Sequence, residues 1–142
     1  MITRSATARY SGFGKDGKGQ VSTQSGVLDG QAYGFGSRFE DGVGTNPEEL
    51  IAAAHAACFT MALSFALAKE GHSEGNLETT AKVKLDKEGD GFRVSRSDLS
   101  LKAQVAGIDQ ARFAEIAQSA KANCPISKLL NAEIGFDYTL ES

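Results

Sequence analysis

The chain has 142 residues, 41% of them hydrophobic, with 15 basic against 18 acidic residues and a formal charge of −3. That length carries one soluble domain with a sizeable core, and that apolar share excludes a disordered chain. The near balance of charge, with no Lys/Arg cluster, gives no electrostatic footprint for nucleic acid. The N-terminus, "MITRSATARYSG", has no apolar stretch of the signal-peptide kind, so a cytoplasmic protein is expected. There, the two cysteines, Cys58 and Cys124, argue against a structural disulfide and leave a redox pair open.

The first forty residues are glycine-rich and alternate in polarity, and Leu28-Asp29-Gly30-Gln31 carries an Asp-Gly turn signal between two strand-like runs. A β-hairpin is expected. "SGFGKDGKG" places Gly12, Gly14 and Gly17 in a G-x-G-x-x-G spacing and comes close to a phosphate loop. Both motifs need a helix to start there, so that its N-terminus can receive phosphate. The following "QVSTQSG" is strand-like, and Gly19 stands where a phosphate loop needs a hydroxyl residue, so a turn is the better reading. Arg38, in "GSRFE", lies in a strand pattern beside Phe39 and Glu40, where most arginines are solvated.

A long helix begins near Asn46. Asn46 can cap it, Pro47 suits the first position, and Glu48 and Glu49 complement the positive end of the dipole. Asn46-x-x-Glu49 is also close to a capping box. From Leu50 to Ala68 nineteen residues pass without a charge, and Lys69 and Gly71 end the helix. Nineteen uncharged residues reach the length of a membrane span. Eight of them are alanine, however, and His55, Thr60 and Ser64 interrupt the run. A helix apolar on every side is equally what a central helix, covered all round by protein, requires. No membrane association is expected.

Next, "LETTAKVKLD", a turn at "KEGDG" and "FRVSRSDLSLKAQV" read as a second antiparallel hairpin. "GIDQARFAEIAQSAKAN" is an amphipathic helix capped by Asp109, with Phe113, Ile116, Ala117 and Ala120 inward. "CPISKLLN" starts a short helical piece at Pro125. "AEIGFDYTL" closes the chain as a strand with Ile134, Phe136, Tyr138 and Leu140 on one face. The order is that of an α+β domain over residues 1–142 with antiparallel sheet.

The two thiols differ in setting. Cys58 reads either as a small core hydrophobe or as a reactive thiol in an uncharged helix. Cys124 stands at the start of a helix, where main-chain N–H groups and the dipole favour the thiolate. His55, three residues before Cys58, is either a hydrogen-bonded core histidine or one half of a Cys–His pair. His72 follows the helix-ending glycine and reads as surface. No spacing of Cys, His and acidic residues suits a metal, and no cofactor signature is visible. Composition and spacing stop at a soluble α+β domain with two thiols of unequal environment.

"GTNPEELIAAAHAACF", followed about sixty residues later by "AKANCPIS", closely resembles the osmotically inducible and organic hydroperoxide resistance family (OsmC/Ohr) over essentially the whole chain. "GVLDGQAYGFGSRFEDGVGTNPEEL" looks like the OsmC branch. The resemblance implies antiparallel sheets wrapped around a long central helix in an intertwined homodimer. It also implies a thiol peroxidase of organic hydroperoxides, with Cys58 as the attacking thiol and Cys124 as the resolving one. Arg38 and Glu49 are the residues matched to the family's arginine and glutamate, the carboxylate holding the guanidinium. A dithiol, typically protein-bound dihydrolipoamide, is the implied reductant.

Two inferences accompany the resemblance. The dipole argument makes Cys124 the more acidic thiol, whereas the family makes Cys58 the attacking one. Nine residues separate Glu49 from Cys58, about 13.5 Å along a straight helix and on opposite sides of it. Glu49 therefore cannot touch Cys58 of the same straight helix: either Arg38 spans the gap or Glu49 arrives from another chain. In line with the homodimer the resemblance implies, an obligate dimer with sites at the interface is expected. Phe39, Met61 and Phe65 are the residues expected to receive an alkyl chain. The rival expectations are a small-ligand-binding stress protein without catalysis, a structural stress protein, and a Cys58–His55 hydrolase.

Overall fold

Three short strands open the chain in the computed structural model, which describes residues 1–142: β1 (Ala6–Ser11), β2 (Lys18–Thr23) and β3 (Gln31–Tyr33). They form an antiparallel sheet in the order β1-β2-β3. The expected hairpin joins β2 to β3, with Val21 opposite Gln31 and Gly30 at φ +64° in the connection. β1 and β2 are joined through a single 3-10 turn, Gly14–Asp16, and a strand follows it. No helix starts behind the glycines, so the phosphate-loop spacing has no structural counterpart. Gly19 has its own reason: an added Cβ would lie 2.6 Å from the Tyr33 ring and 2.8 Å from the Tyr33 carbonyl oxygen.

A short helix α1 (Phe35–Phe39) comes next. This corrects the strand expected around Arg38, which is helical. The local reason is Ser37, whose hydroxyl takes the Gly34 N–H at 3.0 Å and donates to the Thr45 carbonyl at 2.6 Å, coiling the backbone. The long helix α2 (Pro47–Lys69) follows. Asn46 Oδ1 accepts the Glu49 N–H at 2.7 Å, which satisfies one of the orphan donors at the helix start. At the far end Gly71 adopts φ +93°, the Gly71 N–H bonds to Ala68 O, and the His72 N–H bonds to Leu67 O. Those two bonds are a Schellman motif, and the left-handed residue it needs is the glycine.

The chain forms two compact units, Met1–Leu50 and Ile51–Ser142. In the second, β4 (Asn76–Glu88), β5 (Gly91–Gln104) and β6 (Glu133–Glu141) make a sheet in the order β4-β5-β6. β4 and β5 are the expected antiparallel hairpin, whereas β6 joins β5 in parallel. The second sheet is therefore mixed. The helices α3 (Gln110–Asn123) and α4 (Pro125–Leu129) carry the chain back across, and a helical crossover delivers its next strand parallel to the last. Asp109 Oδ2 caps α3 through the Arg112 N–H at 3.3 Å.

The core of this unit gathers Phe59, Leu63 and Leu67 from α2, Leu99, Leu101 and Ala103 from β5, and Phe113, Ile116, Ala117 and Ala120 from α3. Ile134, Phe136, Tyr138 and Leu140 of β6 pack against it, with Phe59–Phe136 and Phe113–Tyr138 ring centroids 5.3 and 5.2 Å apart. Each fully buried large side chain contributes about 1.5–3 kcal/mol relative to exposure. α2 is long and apolar enough to cross a membrane, yet its i, i+4 row His55, Phe59, Leu63 and Leu67 is buried in the protein. Within a single chain the other side is open: Ala53, Ala54, Ala57, Met61, Phe65 and Ala68 are exposed.

Candidate active site

Cys58 and Cys124 carry free thiols, Cys58 packs against the core cluster that contains Cys124, and each thiol shifts the proton affinity of the other. Cys58 comes from the middle of α2 and Cys124 from the junction of α3 and α4, where it is the last residue of one helix's cap and the N-cap of the next. Pro125 at the first position of α4 forces that break, since its ring cannot continue α3. Cys58 is half-buried, whereas Cys124 is 0% exposed.

Their proton affinities diverge. Burial pushes the Cys58 thiol up, and its hydrogen bond to Cys124 pushes it further, against a main-chain N–H from Ile126. Burial also acts to raise Cys124. There it is outweighed by the hydrogen bond from Cys58, by the N–H and hydroxyl of Ser127, and by the Ile126 N–H, so Cys124 ends below the ordinary thiol value. The two thiols titrate as a pair, with the lower proton affinity on Cys124. The acidity order expected from the helix start is the one found.

His55 is 0% exposed and both ring nitrogens are engaged, Nδ1 with Ser97 Oγ at 2.7 Å and Nε2 with Ser127 Oγ at 2.8 Å. Burial holds its pKa below the ordinary histidine value, so the ring is neutral. The core-histidine reading is correct and the Cys58–His55 hydrolase pair is not formed, because neither nitrogen is free to serve Cys58. Ser97 and Ser127 are partners of His55 that reading the sequence missed. A signal existed for Ser97: it occupies the inward row of β5 together with Leu99, Leu101 and Ala103, where an apolar residue belongs.

Arg38 and Glu49 lie in the first unit, and here the structure corrects the expected pairing. The guanidinium bonds Glu48, not Glu49, with Nε to Oε1 at 3.0 Å and Nη2 to Oε2 at 2.9 Å. Glu49 accepts the Thr45 hydroxyl at 2.8 Å instead. Adjacent residues on a helix point about 100° apart, so only one of two neighbouring glutamates can face α1. Asn46 Nδ2 bonds Ser37 O at 3.0 Å, which ties α1 to the start of α2 and presents Glu48 to Arg38. Of the expected apolar residues, Phe39 lies under the Arg38 guanidinium, 5.3 Å from its centre. Met61 and Phe65 are 61% and 71% exposed on the open side of α2.

Residues 39–139 match the family model described as OsmC-like protein. The chain is 52% identical over 141 residues to Peroxiredoxin OsmC of Escherichia coli, covering 99% of each sequence. It is 32% identical over 118 residues to the organic hydroperoxide resistance protein OhrB of Bacillus subtilis, covering 82% of this chain and 84% of that one. The crystal structure of that OhrB superposes with a TM-score of 0.69 at 28% identity, covering 99% of this chain and 98% of the other. The chain belongs to the OsmC-like family.

Proposed function

We propose that this chain is a cytoplasmic thiol peroxidase that reduces organic hydroperoxides to alcohols. The observation that carries the reading is the Cys58–Cys124 pair, two free thiols at one core cluster that shift each other's proton affinity, of which one is accessible and the other sealed. A peroxide reaches only Cys58. Transfer of the Cys58 proton to the Cys124 thiolate yields the nucleophile. The Cys58 sulfur then attacks the O–O bond, takes one oxygen as sulfenic acid, and the alkoxide leaves with a proton as alcohol. Cys124 condenses with the sulfenic acid to a disulfide and water, and a dithiol such as protein-bound dihydrolipoamide reopens it by exchange. No other cofactor enters this scheme.

The names of the relatives, a peroxiredoxin and an organic hydroperoxide resistance protein, support the class of substrate. Arg38 is assigned the stabilisation of the Cys58 thiolate and the departing alkoxide, with Glu48 holding its guanidinium. Glu48 precedes Cys58 by ten residues, about 15 Å along the axis of α2. The Arg38–Glu48 pair is therefore assigned to the Cys58 site of a second copy, in a homodimer that covers the open side of α2. Residues 1–142 then act as one domain, and Phe39, Met61 and Phe65 supply apolar surface for the substrate's alkyl group. A steady-state assay tests this: wild type with dihydrolipoamide should consume cumyl hydroperoxide, and Cys58→Ser should not. Equal turnover by Cys58→Ser would overturn the assignment.

A further inference from the structure

The Cys58–Cys124 pair leaves unexplained why a fully buried histidine is held by two serines beside it. Ser97, His55 and Ser127 come from β5, α2 and α4, and the first two are 0% exposed. Both ring nitrogens of His55 have a hydroxyl within 2.8 Å, and no buried side-chain nitrogen or oxygen in the chain lacks a partner. Ser127 stands three residues after Cys124, on the first turn of the helix that Cys124 caps, and its hydroxyl acts to lower the proton affinity of the Cys124 thiol. The hydrogen bonds form one unbranched line, Ser97 Oγ, His55 Nδ1, His55 Nε2, Ser127 Oγ, whose last hydroxyl sits on the turn that follows Cys124.

We propose that this line is a tautomer relay in which His55 and Ser97 are positioning residues for Cys124, the proton on the imidazole following the proton on the thiol. A neutral imidazole donates from one nitrogen and accepts at the other, so the line has two self-consistent arrangements. With Cys124 as thiolate, Ser127 donates to sulfur, accepts from Nε2–H, and Nδ1 accepts from the Ser97 hydroxyl. With Cys124 as thiol, S–H donates to Ser127 Oγ, the Ser127 hydroxyl donates to Nε2, and Nδ1–H donates to Ser97 Oγ. Both ring nitrogens and the Ser127 hydroxyl keep a partner in both, and only the Ser97 hydrogen gives up its acceptor when Nδ1 donates. No net charge enters the buried ring in either.

The use of the relay rests on the peroxidase reading. Attack on peroxide needs the Cys124 sulfur to take the Cys58 proton, which the second arrangement accommodates. Resolution needs the Cys124 thiolate back: it attacks the Cys58 sulfenic sulfur, the S–S bond forms, the S–O bond breaks, and hydroxide leaves with one proton as water. One fold must therefore stabilise Cys124 in both protonation states, and a donor fixed in one direction would favour only one of them.

The test uses Cys58→Ser protein, in which Cys124 is the one thiol, and no peroxide. Thiolate absorbance near 240 nm gives the midpoint of Cys124, and imidazole 15N shifts give the His55 tautomer across the same pH range. The expected result is a change from the Nδ1–H to the Nε2–H form with the midpoint of the thiol. Ser127→Ala should raise that midpoint by about one pH unit and abolish the response of His55. Ser127→Thr, which keeps the hydroxyl, should restore both. Ser97→Ala, remote from sulfur, should raise the midpoint less. A His55 tautomer that does not change as Cys124 titrates would overturn the relay from the Cys58→Ser protein alone, even if the serine variants fail to fold. Failure of the peroxidase reading would show separately, as no Cys58 sulfenic acid in Cys124→Ser protein given an alkyl hydroperoxide.

Discussion

Arg38 grips Glu48 through two parallel hydrogen bonds, 3.0 and 2.9 Å long, while Glu49 on the next position of the same helix faces Thr45. The fork-to-carboxylate geometry fixes the plane of the guanidinium, and a lysine cannot reproduce it. The two glutamates are chemically identical in the sequence, and the structure separates their partners.

Glu48→Gln should lower kcat/KM for an organic hydroperoxide by roughly a hundredfold, the scale for a lost preorganised electrostatic group. Glu49→Gln, at the capping position, should stay within about threefold. Arg38→Lys should fall with Glu48→Gln, because the charge remains but the fork does not. Steady-state kinetics on the three variants checks the ranking, and a larger loss in Glu49→Gln would reassign the carboxylate.

His55 imposes a pH dependence on stability. Its folded-state pKa is depressed by burial, whereas in the unfolded chain it takes a proton near pH 6.5. Between those two values the unfolded state binds more protons, so stability is complete above about pH 6.5 and is lost as pH falls toward the folded value. The slope from this one group is at most about 1.4 kcal/mol per pH unit. Denaturant unfolding at pH 7.5, 6.5 and 5.5 should show it in wild type, and His55→Gln should flatten the difference.

Ala57 lies on the open side of α2 with Ala53, Ala54 and Met61, an apolar stripe exposed in a single chain. In the homodimer proposed above a second copy would cover it, as a helix apolar on every side requires. Ala57→Glu should convert a dimer to monomer and remove peroxidase activity, as read by sedimentation and turnover on the same sample. A folded, fully active wild-type monomer at assay concentration would contradict this.

Most of the fold was legible from local rules. The caps at Asn46 and Asp109, the glycine end of α2, the β4–β5 hairpin and the inward face of β6 all follow from spacing that one element carries by itself. What was hidden required two elements at once. Arg38 reads as strand because the hydrogen bonds that coil α1 come from Ser37 reaching Thr45, eight residues away. β6 reads as antiparallel because its pairing depends on where α3 and α4 return the chain. At the site, the two thiols and the acidity of Cys124 were visible, since a proline-started helix announces itself. Ser97 and Ser127 were not, because they acquire a role only through His55, 42 and 72 residues removed from it.

The central claim, that Cys58 attacks the peroxide and Cys124 resolves it, is tested most directly by intact mass and free-thiol count after one equivalent of cumyl hydroperoxide. Wild type should lose both thiols and two mass units, Cys124→Ser should gain one oxygen on Cys58, and Cys58→Ser should remain unchanged. Oxidation of Cys124 in the Cys58→Ser protein at the wild-type rate would contradict the account, placing the attack on the sealed and more acidic thiol.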